Sequence, residues 1–275
     1  MPLTKALTLG KAEYLGYIYG RYTTGEYALG EIQTWNWALM LSCNKWRYSR
    51  HWILTLPTLM LMTAQCTSSF KAEFASPQNL LMNESFEAGK EPWFALVAPN
   101  WESFEITDRS ANDGRHSAYL GLRAPSSTVG TKIVGIVQEV SPSEFPRRLS
   151  GFYHVEHWRR GTQKQYLQVV IIVFADPTNK PFPNYQLRYV LSGIDRPPLQ
   201  IVNAKYVFSG ISEVQQGRWK NFDFDLHSDF RRHWGQVPEG FTKLRILFEV
   251  RYDEKTAGED EVRADVYYDD LYLGE

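Results

Sequence analysis

Cysteine is almost missing from this chain. Its 275 residues include two, Cys43 and Cys66, and none follows residue 66. The stretch beyond has no disulfide, no thiol nucleophile and no thiolate metal site. At that length a domain buries enough core without a covalent staple. A surplus of positive charge is also lacking: 30 Lys and Arg stand against 31 Asp and Glu, for a net charge of −1. Polyanionic nucleic acid is therefore not an expected partner. The apolar run at residues 52–62 falls well short of the ~20 residues a membrane-spanning helix needs. No nucleophile elbow or Ser/His/Asp arrangement stands out. His154-Val155-Glu156-His157 lacks the spacing of the helical zinc signature. On a strand, His154 and Glu156 would point one way and His157 the other, which reads as polar surface. No active site is legible, and the reading leans away from an enzyme.

Aromatic residues are plentiful, with 9 Trp, 16 Tyr and 15 Phe. They favour pleated, half-buried surfaces. Near the N-terminus, basic residues at 45–51 precede the apolar run at 52–62. The small and polar stretch from Thr63 to Ser69 follows. That order is the order of a secretory signal. Cys66 stands where a lipoprotein cysteine would stand, although Gln65 before it is not the usual small residue. Cleavage near Ala64 to Ser69 without acylation is the alternative. The expected organisation is an over-extended start or a poorly ordered extension at 1–39, a signal peptide at 40–66, a tether at 67–77 and one globular domain at 78–275. An exported, envelope-anchored or periplasmic or extracellular protein follows from it.

Residues 78–275 read as strands separated by turns. Strands are expected at 102–107, 117–123, 131–140, 148–158, 166–174, 185–191, 205–208, 219–226, 242–252 and 263–273. One short helix is expected at 227–234, closed by Gly235. From Leu244 to Tyr252, every second residue is apolar, with Arg245, Glu249 and Arg251 between. The run from Gln168 to Phe174 is apolar on both faces and reads as a central strand. About ten strands without interleaved helices predict an all-β, two-sheet sandwich.

Asn79-Leu80-Leu81-Met82-Asn83-Glu84-Ser85-Phe86-Glu87-Ala88-Gly89 with Pro92-Trp93 opens this region, and Asp265-Val266-Tyr267-Tyr268-Asp269-Asp270-Leu271-Tyr272-Leu273 closes it. Between them lie Asp113-Gly114-Arg115-His116-Ser117-Ala118, Ile136-Val137-Gln138-Glu139-Val140 and Gly217-Arg218-Trp219. In order and spacing these segments resemble galactose-binding-like jelly rolls, the fold of many carbohydrate-binding modules. The domain is longer than such modules usually are, with the surplus around 176–217. The resemblance implies a structural Ca²⁺ held by Glu87 and Asp269, with Asp113 as a weaker third ligand. Solvated strand-end carboxylates are the alternative. It also implies a glycan held by an aromatic platform with polar groups beside it. The candidates are Trp93, Trp101, Tyr153, Trp158 and Gln138, with Glu156, Arg159 and Arg160 nearby in sequence. The expected role is a non-catalytic glycan-binding module. An adhesive surface protein that binds an envelope protein is a second reading, and a divergent glycoside hydrolase a third.

Overall fold

The computed structural model describes residues 78–175, 184–209 and 213–275. Its strands are β1 (Trp101–Glu102), β2 (Glu105–Thr107), β3 (Ser117–Ala124), β4 (Gly130–Val140), β5 (Arg148–Arg159), β6 (Gln165–Ala175), β7 (Asn184–Ser192), β8 (Ala204–Phe208), β9 (Trp219–Asp225), β10 (Phe241–Lys255) and β11 (Val262–Gly274). The helix, here α1, spans Leu226–Trp234. They form a jelly-roll sandwich of one six-stranded sheet, ordered β1-β4-β10-β6-β7-β8, and one five-stranded sheet, ordered β2-β3-β11-β5-β9. The single strand expected at 102–107 is two short pieces, and these pair in opposite sheets. Exposed Ser103 and buried Phe104 separate them, so the chain crosses from one layer to the other there.

Alternation explains the layering. Ile246, Phe248 and Val250 of β10 and Val169, Ile171 and Val173 of β6 enter the core from one side. Leu120 and Leu122 of β3 and Val266 and Tyr268 of β11 enter from the other. The expected α1 is present. Asp225 accepts from Ser228 N at 3.0 Å at its start, and Gly235 closes it at φ 84°. Both groups satisfy backbone positions that a helix end leaves unpaired.

The first and last segments of the domain lie side by side. Leu80 N donates to Leu273 O at 2.8 Å, and Leu271 N to Glu84 O at 3.1 Å. Asn79 accepts from Leu273 N and donates to Leu271 O. Gln138 of β4 adds a further clasp, accepting from Met82 N and donating to Met82 O at 2.9 and 3.0 Å. The ends are thus stitched by backbone and amide groups.

Candidate functional site

Strand alternation sets a second row of residues on the six-stranded sheet, facing away from the core. On β10 these are Leu247, Glu249, Arg251 and Asp253. On β6 they are Tyr166, Gln168, Val170 and Ile172, and on β7 Gln186, Arg188, Val190 and Ser192. An outward row would ordinarily be charged and solvated, yet this one is buried. Arg251 lies between two acids: its guanidinium meets Asp253 at 2.5 Å and Glu249 at 3.3 Å. Gln168 donates to Glu249 at 2.5 Å, and the Tyr166 hydroxyl to Asp253 at 2.7 Å. Burial, ahead of the neighbouring charges, holds the Tyr166 hydroxyl in its protonated form. Arg188 donates twice to Gln186 Oε1, at 3.1 and 2.9 Å.

Several buried atoms on this face lack the partner that a buried polar atom ordinarily has. Trp101 Nε1, Gln168 Oε1, Gln186 Nε2 and Ser192 Oγ meet no hydrogen-bond partner among the described residues. Trp101 lies on this face because Gly135 leaves room for it. A Cβ on Gly135 would meet the indole at 2.7 Å, and Gly135 is the cross-strand partner of Glu249.

At the end of the sheet where β6 starts and β7 stops, the surface opens into a cleft of about 590 Å³. Arg160, Lys164, Ile194, Arg196 and Pro198 are among its walls. Gly193, also in the wall, follows Ser192 directly. A smaller cleft of about 400 Å³, bordered by Glu259 and Asp260, shares Arg160 and Gln163 with it. The two volumes lie within the range of small-molecule sites.

The outer face of the five-stranded sheet contrasts with this. Tyr119, Tyr267, His154 and Trp219 form a row across it, with ring centroids 5.4, 5.6 and 5.5 Å apart. Arg109 covers Tyr119 at 4.5 Å. Asp265 accepts from Tyr119 at 2.5 Å and also pairs with Arg123 and His157. Burial works against its charge, but these partners prevail and hold its carboxyl below the usual range. Contrary to simple alternation, His157 reaches the same face, because a bulge at φ 48° turns it there. His154 Nε2 is buried without a hydrogen-bond partner. The hydroxyls of Tyr119 and Tyr267 in this row are spent on Asp265 and Glu156.

Of the residues singled out for sugar binding, only Trp101 joins the unmet row. Trp93 is core: it is 2% exposed, touches Phe86 and Phe248, and donates to Asn83 O at 2.9 Å. Tyr153 is also core, and its hydroxyl is pushed up by burial. Trp158 packs on the core edge, with its backbone N–H on Gln216. Gln138 spends its amide on Met82. These four do not form one platform. Arg159 pairs with Glu261 at 3.0 Å, and Tyr267 donates to Glu156 at 3.4 Å. Gln168, Gln186 and Ser192 escaped the sequence reading. Their only signal was a polar residue opposite a core position in a hydrophobic strand.

Glu87 and Asp269 converge on one turn, residues 112–116. Glu87 Oε1 accepts from Arg115 N and His116 N at 2.7 and 2.8 Å, and Oε2 meets His116 Nδ1 at 3.1 Å. Asp269 Oδ2 accepts from Asn112 N at 2.7 Å and Asp113 N at 3.4 Å. Asp113 caps its own turn through Gly114 N. The turn therefore presents N–H donors to both carboxylates, whereas calcium requires oxygen atoms from all sides. As arranged, these residues fit a calcium cage poorly. No group of three or more His, Cys, Asp or Glu suited to a metal occurs among the described residues. Cys66 and the expected signal lie outside the described residues.

No protein-family model and no curated protein matches this chain. Several solved structures are similar in fold. TmCBM61 in complex with β-1,4-galactotriose is 15% identical over 72% of this chain and 99% of that one, with a TM-score of 0.39. The CBM22-1–CBM22-2 tandem domain of Xyn10C from Paenibacillus barcinonensis is 14% identical over 74% and 51%, with a TM-score of 0.41. The enzymatically active domain of tailspike protein 4 from bacteriophage CBA120 is 14% identical, and this chain spans 21% of it, with a TM-score of 0.36. The strand pairing itself establishes the two-sheet jelly roll.

Proposed function

We propose that the protein is a non-catalytic glycan-binding module, with its site on the outer face of the six-stranded sheet and the adjoining cleft. One observation carries this reading: buried hydrogen-bonding atoms without partners gather on that face. Leaving such an atom unmet costs roughly 1–3 kcal/mol. Sugar hydroxyls both donate and accept, so a glycan that reached these buried atoms would serve the amides of Gln168 and Gln186, the Ser192 hydroxyl and the Trp101 N–H alike. Glu249 and Asp253 both pair with Arg251, and Gln168 and Tyr166 donate to them as well, so both carboxylates are already engaged as hydrogen-bond acceptors.

Ser192→Ala separates a binding role from a structural one. Ser192 Oγ has no partner to lose, so the melting temperature should hold or rise. Affinity for the best ligand on a glycan array should fall about fivefold or more. An unchanged affinity, or retention of no glycan by the full chain, would argue against the site.

Export belongs to the same proposal. The segment at 40–66 is a signal, Cys66 is acylated, and residues 67–77 are a tether that holds the module at the envelope. Labelled palmitate should enter the full chain in a lipoprotein-processing host and should be lost in Cys66→Ala. Labelling of both, or of neither, removes the anchor.

A further inference from the structure

The cleft at the end of the six-stranded sheet has a charge that a neutral sugar does not need. Arg160, Lys164 and Arg196 line it, and among its described wall residues Asp195 is the one acid. Lys164 holds Glu254 at 2.7 Å. Arg160 donates only to the carbonyls of Thr162 and Gln163, at 3.3 and 3.2 Å. Arg160 and Arg196 are exposed, and neither has an ion-pair partner among the described residues. Buried Ile194 and Pro198 form an apolar wall beside them. Guanidinium groups present planar forks of N–H donors that match carboxylate and sulfate oxygens two at a time. Low-dielectric walls strengthen that attraction.

We infer that the cleft takes an acidic sugar, one bearing a uronate carboxylate or a sulfate ester, as part of the bound glycan. This rests on the glycan-binding reading and narrows its ligand class. Arg196 makes the fork that closes on the anion. Lys164 is already engaged with Glu254, so the uncompensated positive charge of the cleft comes from Arg160 and Arg196. The charges around the cleft also predict a salt-dependent affinity.

The test is calorimetric titration of the full chain with oligogalacturonates, sulfated galactan oligosaccharides and neutral xylo- and galacto-oligosaccharides. One anionic series should bind at least about tenfold more tightly than the neutral ones, and its affinity should fall between 50 and 500 mM salt (about 10-fold in ionic strength). Whether the uronate or the sulfated series leads identifies the anion. Arg196→Gln should keep its melting temperature and lose about tenfold in affinity for that series, a larger loss than for the neutral oligosaccharides. Neutral oligosaccharides binding as well as anionic ones would overturn the acidic class and leave glycan binding standing. So would anionic affinity that ignores both Arg196→Gln and Arg160→Gln. Binding of no oligosaccharide would remove both.

Discussion

Gly114 shows how much one residue can carry. Its φ of 66° lies where side chains are strained, and a Cβ there would meet Glu87 Oε1 at 2.5 Å. Glu87 can reach Arg115 N and His116 N only because that space is empty. Gly114→Ala therefore combines two penalties, a positive φ and the displacement of a carboxylate from two amides. We expect a loss of about 2–4 kcal/mol, measured by urea unfolding. A loss below about 1 kcal/mol would show that the turn can re-form without Glu87. An Asp-Gly pair such as Asp113-Gly114 is a turn signal on sequence alone. It could not show that a glutamate nearly thirty positions earlier fills the space over the glycine.

At the scale of elements, α1 was legible almost to the residue, because its limits are written in local chemistry. Asp225 supplies the N-cap, and Gly235 the left-handed closing residue. Asp225 is held below the usual carboxylate range first by the Ser228 N–H. Asp225→Ala should cost about 1 kcal/mol with no change in the slope of urea unfolding. A neutral substitution would mean that packing of Leu226 and Phe230 alone holds the helix. The long strands were equally legible, since alternation repeats over many residues. β1 and β2 were not, because two or three residues carry too little periodicity to reveal a change of sheet. The bulges at His157, Glu254 and Asp270 were hidden for the same reason.

Across the whole molecule, the 112–116 turn joins three distant parts of the chain, and its two carboxylates titrate in opposite senses. Burial raises Asp269 to about 7, outweighing the N–H of Asn112, with Asp270 adding to the rise. A group whose folded pKa lies above its unfolded value stabilises fully at low pH. That contribution disappears as pH rises from about 4 towards 7. Glu87 is lowered, chiefly by the amides of Arg115 and His116. Its contribution is present above its unfolded pKa and is lost as acid is added below it. Wild-type stability should thus decline from pH 4 to 7 by on the order of 2–4 kcal/mol from Asp269, and Asp269→Asn should flatten that decline. An unaltered slope in the variant would place the titration elsewhere. The same unfolding curves with calcium and with a chelator test the cation at Glu87, Asp113 and Asp269. To be bound there, calcium must draw at least one carboxylate off the turn, and binding would appear as a raised melting temperature.

Composition and alternation determined by themselves that this is an all-β sandwich, where most strands run, and where its helix starts and stops. Those features follow from side chains a few positions apart. The closing of the domain by Asn79 and Gln138, the shared grip of Glu87 and Asp269, and the assembly of Trp101, Gln168, Gln186 and Ser192 on one face were decided only by tertiary structure. Each depends on which strands become neighbours. Two sheets with the same pattern of polar and apolar residues can place an outward glutamine in water or in a buried network, and the order of strands makes that choice.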